Sequence, residues 1–203
     1  MKKQFKTIMM LAALPLVFTA CKKDNEENVQ PATVSGLEVK SASNIFANDP
    51  NGHYTFFSLR TNSIVPLADS ATNLWDVAFY STKILTNGGT SGIGMGGGAL
   101  MLQSFDNVTS APADNLILTD NTTAALAIPT GSGNGWYVYD GVSNIINPIA
   151  GRTLVIRTAD GKFAKMEILN YYQNAPAVPT SADVSRYYKF RFSIQTDGTR
   201  NLK

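Results

Sequence analysis

The clearest pattern in the chain is an alternation of apolar and polar residues with a period of two, which begins near residue 53. The alternation is cleanest over residues 187–194, where Lys189 and Arg191 point to the face opposite a row of large apolar residues: Tyr188, Phe190, Phe192 and Ile194. Such a segment predicts a β-strand with one buried and one wet face.

Other segments with β-rich composition predict further strands. They are 53–60, 63–67, 74–80, 82–86, 99–103, 116–119, 136–139, 152–158 and 162–169. In the third of these, Trp75 and Phe79 share parity, so we expect both on one buried face. The Asp160-Gly161 pair between the last two predicts a tight hairpin. Residues 122–127 are the only candidate for a short helix. The predicted fold class is all-β, a single antiparallel β domain that is sandwich-like or an open, curved sheet.

The N-terminus has the features of a secretory signal peptide. Three lysines precede a short apolar stretch from Ile8 to Phe18, and the small residues Thr19 and Ala20 stand before Cys21. The apolar stretch is about half of the roughly 20 residues that a membrane-spanning helix needs. A cysteine directly after the small pair is typical of a bacterial lipobox, and Cys21 is the only cysteine in the chain. We therefore predict a lipoprotein signal peptide over 1–20 and lipidation at Cys21, with an ordinary signal peptide as the alternative.

Residues 21–36 are polar and charged and predict a flexible tether ahead of a β domain over 37–203. The acidic run behind Cys21 resembles surface-export signals of Bacteroidetes lipoproteins, although it also fits a merely solvated linker. Three of the 17 basic residues lie in the predicted signal peptide, which leaves 14 against 15 acidic residues, a net charge of −1. This balance argues against nucleic-acid binding, and the lipid is the expected attachment to the membrane.

Familiar catalytic patterns are absent from the sequence. Gly92, Gly94 and Gly97 satisfy G-x-G-x-x-G, but no βαβ unit surrounds them, so we reject a dinucleotide site and expect the glycines to allow close packing or sharp bends of the backbone. His53 is the only histidine and is expected to be structural, which excludes a histidine-built metal site. No pair of carboxylates has a recognisable spacing. The chain is therefore not expected to be an enzyme.

Three segments together resemble the HmuY family of haem-binding lipoproteins over about residues 53–194. They are Leu74-Trp75-Asp76-Val77-Ala78-Phe79 with Thr86-Asn87-Gly88-Gly89 and the glycine run to Ala99, then Gly135-Trp136-Tyr137, and then Arg157 to Met166 followed by Tyr171-Tyr172. The resemblance implies an all-β, hand-like fold, an outer-membrane location, and haem capture for a TonB-dependent receptor.

The axial ligands that the resemblance implies do not carry over to this chain. Members of the family that bind haem tightly use two histidines or methionines, one shortly after the Trp of the Gly-Trp strand and one in an insertion. The first neighbourhood, 136–141, has no His or Met, and the second, 120–135, is short. Haem iron also accepts tyrosine and methionine. Tyr137, Tyr139 and Met95 are therefore the candidate haem-binding residues, each with a core or loop role as the alternative.

Two functions follow from this comparison. The first is an outer-membrane lipoprotein of the HmuY type that binds haem without a bis-histidine centre and serves haem or iron acquisition. The second is a haem-free surface adhesion or receptor-accessory lipoprotein on the same fold, because a fold alone does not decide function.

Overall fold

The computed structural model describes residues 36–203, so the predicted signal peptide, Cys21 and nearly all of the predicted tether lie outside the described residues. Three short 3₁₀ helices occur in the described part: Leu67–Asp69, Phe105–Asn107 and Asp114–Leu116. The strands are β1 (Lys40–Phe46), β2 (Thr55–Ser58), β3 (Ser63–Val65), β4 (Val77–Tyr80), β5 (Lys83–Thr86), β6 (Gly97–Met101), β7 (Tyr137–Asp140), β8 (Ile145–Pro148), β9 (Thr153–Arg157), β10 (Phe163–Tyr172) and β11 (Ser185–Gln195). The predicted all-β class is confirmed.

The strands form three antiparallel sheets. A five-stranded sheet has the order β1-β11-β10-β9-β6, a four-stranded sheet has the order β3-β2-β4-β5, and β7 and β8 form a separate hairpin. Rings from the two larger sheets meet in the core, with centroid distances of 5.2 Å between Phe57 and Phe190 and 4.6 Å between Phe79 and Tyr188. The larger sheets therefore pack face to face, as a sandwich-like arrangement requires.

Strand β11 confirms the alternation that predicted it. Tyr188, Phe190 and Phe192 are fully buried, while Lys189 and Arg191 on the other face stay partly exposed. The predicted hairpin between β9 and β10 is also present, closed by a 2.9 Å hydrogen bond from the Gly161 N–H to the Thr158 carbonyl. Gly161 has a φ of +84°, a conformation that favours glycine.

The expectation that Trp75 and Phe79 share one face is wrong. Both are fully buried, but Trp75 packs with Phe56 and Ala78 on one side of the four-stranded sheet, whereas Phe79 belongs to the central core on the other side. Trp75 precedes β4, which begins at Val77. Parity along a strand therefore does not extend back to it, because the chain is not in the regular extended conformation there.

Three further local expectations are corrected by the structure. Residues 116–119 are not a strand, since a 3₁₀ helix ends at Leu116 and Leu118 makes only an isolated bridge to Gly98. Residues 122–127 are not a helix, because the Ala125 N–H donates to the Thr122 carbonyl at 3.1 Å in a tight turn. The strand predicted from residue 53 begins only at Thr55, so His53 precedes it; His53 is exposed, and its Nδ1 lies 3.3 Å from an Asp49 carboxylate oxygen.

Two strands were not predicted from the sequence. β1 is mostly small and polar residues and is interrupted by a bulge, with Asn44 at a φ of 56°. β8 is short and ends at Pro148. Neither carries an apolar alternation long enough to be recognised, and each is placed by its pairing with a neighbouring strand.

Candidate functional site

The glycines of segment 88–98 lie so close to neighbouring backbone and side chains that a Cβ has no room there. A Cβ on Gly88 would overlap the carbonyl oxygen of Gly96, and one on Gly89 would overlap the carbonyl oxygen of Asp120. The expectation that these glycines serve close packing is confirmed.

Asn87 holds the start of this segment in place. Its buried side-chain amide donates to the carbonyls of Thr72 at 2.9 Å and Trp75 at 2.8 Å, and its Oδ1 accepts from the N–H of Gly94 at 3.0 Å. Trp75 lies beside Gly92, where a Cβ would be 3.0 Å from its indole ring. Trp75, Asn87 and the glycines are thus one packed unit.

Asp76 ties that unit to the turn between β9 and β10. Its fully buried carboxylate accepts from the N–H of Leu59 at 2.9 Å and the N–H of Ala159 at 3.0 Å, and lies 3.1 Å from Nε of Arg60. Burial raises the pKa of Asp76, although the Ala159 N–H and the Arg60 guanidinium favour the charged form. The Trp-Asp…Asn-Gly residues that carry the family resemblance therefore perform a structural task, holding two segments that are far apart in sequence.

Met95 sits at the end of this framework. Its N–H donates to the Ala159 carbonyl at 2.9 Å, and its side chain is 57% exposed. It lines a cavity of about 470 Å³ together with Arg157 and Arg200. Both arginines face Asp114, whose carboxylate lies 2.6 Å from Arg200 and 3.9 Å from Arg157, so one positive charge is already compensated.

The two candidate tyrosines lie on the β7–β8 hairpin. Tyr137 is buried against Trp136, with a centroid distance of 4.9 Å. Tyr139 is 45% exposed, and its hydroxyl lies 2.6 Å from Oδ1 of Asn144. Neither tyrosine lines the cavity that Met95 borders. The structure does not bring the three candidates together around that cavity.

A larger cavity of about 550 Å³ lies beside β6, the edge strand of the five-stranded sheet. We call it the leucine cavity. Its walls come from β6 and the residue after it, from the segment after the 3₁₀ helix Phe105–Asn107, from the loop before β7 and from the turn before β9. The side chains used below are Leu100, Met101, Leu102, Leu116, Leu118 and Arg152.

A methionine, several leucines and an arginine are among the residues that line the leucine cavity, and the Met101 side chain also packs against the buried cluster that contains Val108 and Phe163. Leu102, Leu116 and Leu118 are 74%, 57% and 55% exposed, which is unusual for clustered leucines. Arg152 donates to the carbonyl of Gly135 through one terminal nitrogen. Met101 was not among the residues predicted from the sequence, although the unbroken apolar run Ala99–Leu102 already departs from the alternation of a one-sided strand.

Among residues 36–203, no group of three or more His, Cys, Asp or Glu side chains is placed to hold a metal ion. In the same range, no helix is long and apolar enough to span a membrane.

Comparison with known proteins gives a family match over most of the domain. The family model described as HmuY protein matches residues 51–192. No match was found among the curated proteins.

Several solved structures are similar to this chain. Apo PinO from Porphyromonas gingivitis is 13% identical, with a TM-score of 0.51, and the match covers 78% of this chain and 98% of that one. The apo HmuY analogue of Tannerella forsythia is 15% identical, with a TM-score of 0.49 and coverages of 81% and 99%. A structure described as an HmuY-like heme-binding protein from Bacteroides vulgatus is 16% identical, with a TM-score of 0.49 and coverages of 76% and 91%.

At 13% identity, the similarity to PinO shows the fold alone. The family-model match spans more than half of the chain and agrees with the antiparallel β architecture. The chain therefore belongs to the HmuY family.

Proposed function

We propose that this protein binds haem in the leucine cavity, through an iron site that uses no histidine. The observation that carries the proposal is the position of Met101, which lines an apolar cavity of about 550 Å³ that also contains Arg152. The family is one of haem-binding proteins, so the question for this chain is which of its residues meet the ligand.

The residues of the leucine cavity suit the three chemical parts of haem. The aliphatic wall formed by Leu100, Leu116 and Leu118 suits the porphyrin plane, because an apolar surface gains from leaving water. The Arg152 guanidinium suits a propionate carboxylate. The Met101 thioether is a soft ligand of a kind that haem iron accepts.

The remaining candidates fit less well. His53 lies before β2 beside Asp49, and one histidine in the whole chain excludes a bis-histidine centre within a single molecule. The cavity that Met95 borders also keeps one uncompensated arginine charge, but apart from Met95 and Phe163 its lining is glycine, polar and charged residues, which offer a porphyrin little apolar surface. The Tyr139 hydroxyl already donates a hydrogen bond to Oδ1 of Asn144. Met95, Tyr137 and Tyr139 remain the competing proposals.

A haemin titration followed by visible absorption tests the proposal, with the iron ferric and then reduced. We expect a shifted Soret band that is stronger in the ferrous state, because a thioether favours ferrous iron. Met101→Leu keeps an apolar side chain of similar size and removes the sulfur, so we expect binding at least about tenfold weaker, or about 1.4 kcal/mol.

Matched variants identify the ligand. Met95→Leu, Tyr139→Phe and His53→Ala are expected to leave the spectrum unchanged. If the shifted band is lost in Met95→Leu but kept in Met101→Leu, the haem site lies in the cavity that Met95 borders and not in the leucine cavity. If the Soret band does not shift in either oxidation state, this member does not bind haem, and the haem-free adhesion or receptor-accessory function is favoured.

We also propose that the protein is an outer-membrane lipoprotein that passes haem to a TonB-dependent receptor. The support is the order of charge, apolar run, small residues and cysteine over residues 2–21, together with the family. Acyl chains on Cys21 would hold the domain at the membrane, and the polar residues that follow would give it reach.

A further inference from the structure

A third cavity, of about 390 Å³, lies between the segment before β2, the strand β5, the glycine-rich segment and the turn at 121–126. Its volume is at the lower end of the roughly 300–1,000 Å³ typical of small-molecule sites. We call it the threonine cleft. It shares no lining residue with the leucine cavity, and its main lining side chains are Tyr54, Leu85, Ser91, Asn121, Thr123 and Leu126.

Several polar side chains that line the threonine cleft have no hydrogen-bond partner in the described part of the chain. Within residues 36–203, the side chains of Tyr54, Ser91, Asn121 and Thr123 make no hydrogen bond to protein. By contrast, the Thr122 hydroxyl accepts from the N–H groups of two residues in its own turn. Three hydroxyls and one carboxamide, each able to donate and to accept, are thus available to a ligand around one cavity.

The same cleft has apolar and aromatic surface. Leu85 and Leu126 are half-buried at its wall, and the Tyr54 ring is braced by Tyr80, with a centroid distance of 5.4 Å and an angle of 47° between the rings. Burial raises the pKa of the Tyr54 hydroxyl, with the nearby Asp120 acting in the same direction, so the phenol is neutral at physiological pH.

No Lys, Arg, Asp or Glu side chain is among the residues that line the cleft. Asp120, the nearest acidic residue in the sequence, is fully buried and accepts from the N–H of Thr86 at 3.0 Å and of Ala127 at 2.8 Å. A haem propionate or a phosphate placed here would have no counter-charge, which disfavours an anionic ligand. The cleft therefore suits a neutral ligand.

We propose that the threonine cleft is a second binding site, which takes a neutral saccharide through one pyranose ring. Sugar hydroxyls both donate and accept hydrogen bonds, as the free side chains of Ser91, Asn121 and Thr123 do. The C–H face of a pyranose is apolar and suits the aromatic ring of Tyr54. This site is independent of haem, and it is separate from the site proposed above.

Saturation-transfer NMR on the haem-free protein tests this proposal. The probes are the methyl glycosides of glucose, galactose, mannose and N-acetylglucosamine, each at a concentration on the order of 10 mM, because a single ring bound at a shallow site is expected to have a Kd on the order of 1 mM. We expect saturation of the ring protons of at least one probe. Raising the salt from about 50 to about 500 mM should leave that signal unchanged, because no lining charge is there to be screened.

Variants separate this site from surface adsorption. Tyr54→Ala and Asn121→Ala should each lower the signal at least about fivefold, and Asn121 is exposed, so its replacement leaves the fold intact. Tyr139→Ala removes an exposed tyrosine from a different element and should leave the signal unchanged. The proposal is overturned by absence of transfer to all four glycosides, or by a signal that survives Asn121→Ala. Haem titration does not enter the readout, so its outcome cannot be confused with this one.

Discussion

Trp75 shows how much one side chain contributes to this fold. Its indole N–H donates to the carbonyl of Ser70 at 2.8 Å, and its ring lies edge-on to Phe56 with centroids 4.9 Å apart. It also lies directly beside Gly92 of the glycine-rich segment. Its fully buried position joins the outer face of the four-stranded sheet to the loop that leads to Met95.

Replacing Trp75 by Ala should therefore lower the free energy of unfolding by about 3–5 kcal/mol, because a large buried side chain is lost and a cavity remains. Urea denaturation measures this change. Leu74→Ala is the matched control, since Leu74 is the preceding residue and is 51% exposed, and its effect should stay within about 0.5 kcal/mol. Equal effects of the two variants would show that Trp75 does not occupy the buried position described here.

The glycine-rich segment is the element that packs the residues after β5 against the start of β6 and the loop at 119–121. The Gly96 N–H donates to the Asn87 carbonyl at 2.7 Å, and the Thr90 N–H donates to the Asp120 carbonyl at 2.7 Å. Backbone therefore packs on backbone, and the sequence pattern that mimics a dinucleotide motif has a steric origin.

Gly88→Ala tests this reading of the element. The new methyl group would meet the Gly96 carbonyl, which belongs to backbone and has little freedom to move, so we expect a loss of about 1–3 kcal/mol of stability or more. Gly141→Ala serves as the control. A Cβ at position 141 would come no closer than 3.8 Å to Tyr139. The melting temperature of the Gly141→Ala protein should therefore be nearly that of the wild type. A Gly88→Ala protein as stable as the wild type would contradict the close packing.

At the scale of the whole molecule, the described residues form sheets that enclose the core and border the cavities. The proposed lipid at Cys21 would determine where the domain works. If Cys21 is lipidated as proposed, the acyl chains would supply the membrane affinity.

Cys21→Ser removes the thiol that would carry the lipid. In cells, we expect the variant to leave the membrane fraction and to partition into the aqueous phase of a detergent extraction, while the wild type enters the detergent phase. Phe18→Leu, which brings the cleavage region closer to the usual lipobox, is the control and should remain in the detergent phase. A Cys21→Ser protein that still fractionates with membranes would show that something other than this lipid holds it there.

The sequence alone was sufficient to predict the all-β fold class and the buried face of β11. Burial in a strand follows a period of two, and that period is visible in the local order of apolar and polar residues. It also excluded a bis-histidine iron centre, which needs only a count of histidines. Only the tertiary structure decided that Trp75 and Phe79 face opposite sides of a sheet, and that Met101, Leu116 and Arg152 border one cavity. These relations join residues whose positions depend on turns and sheet pairing far away in the chain, and no local pattern encodes them.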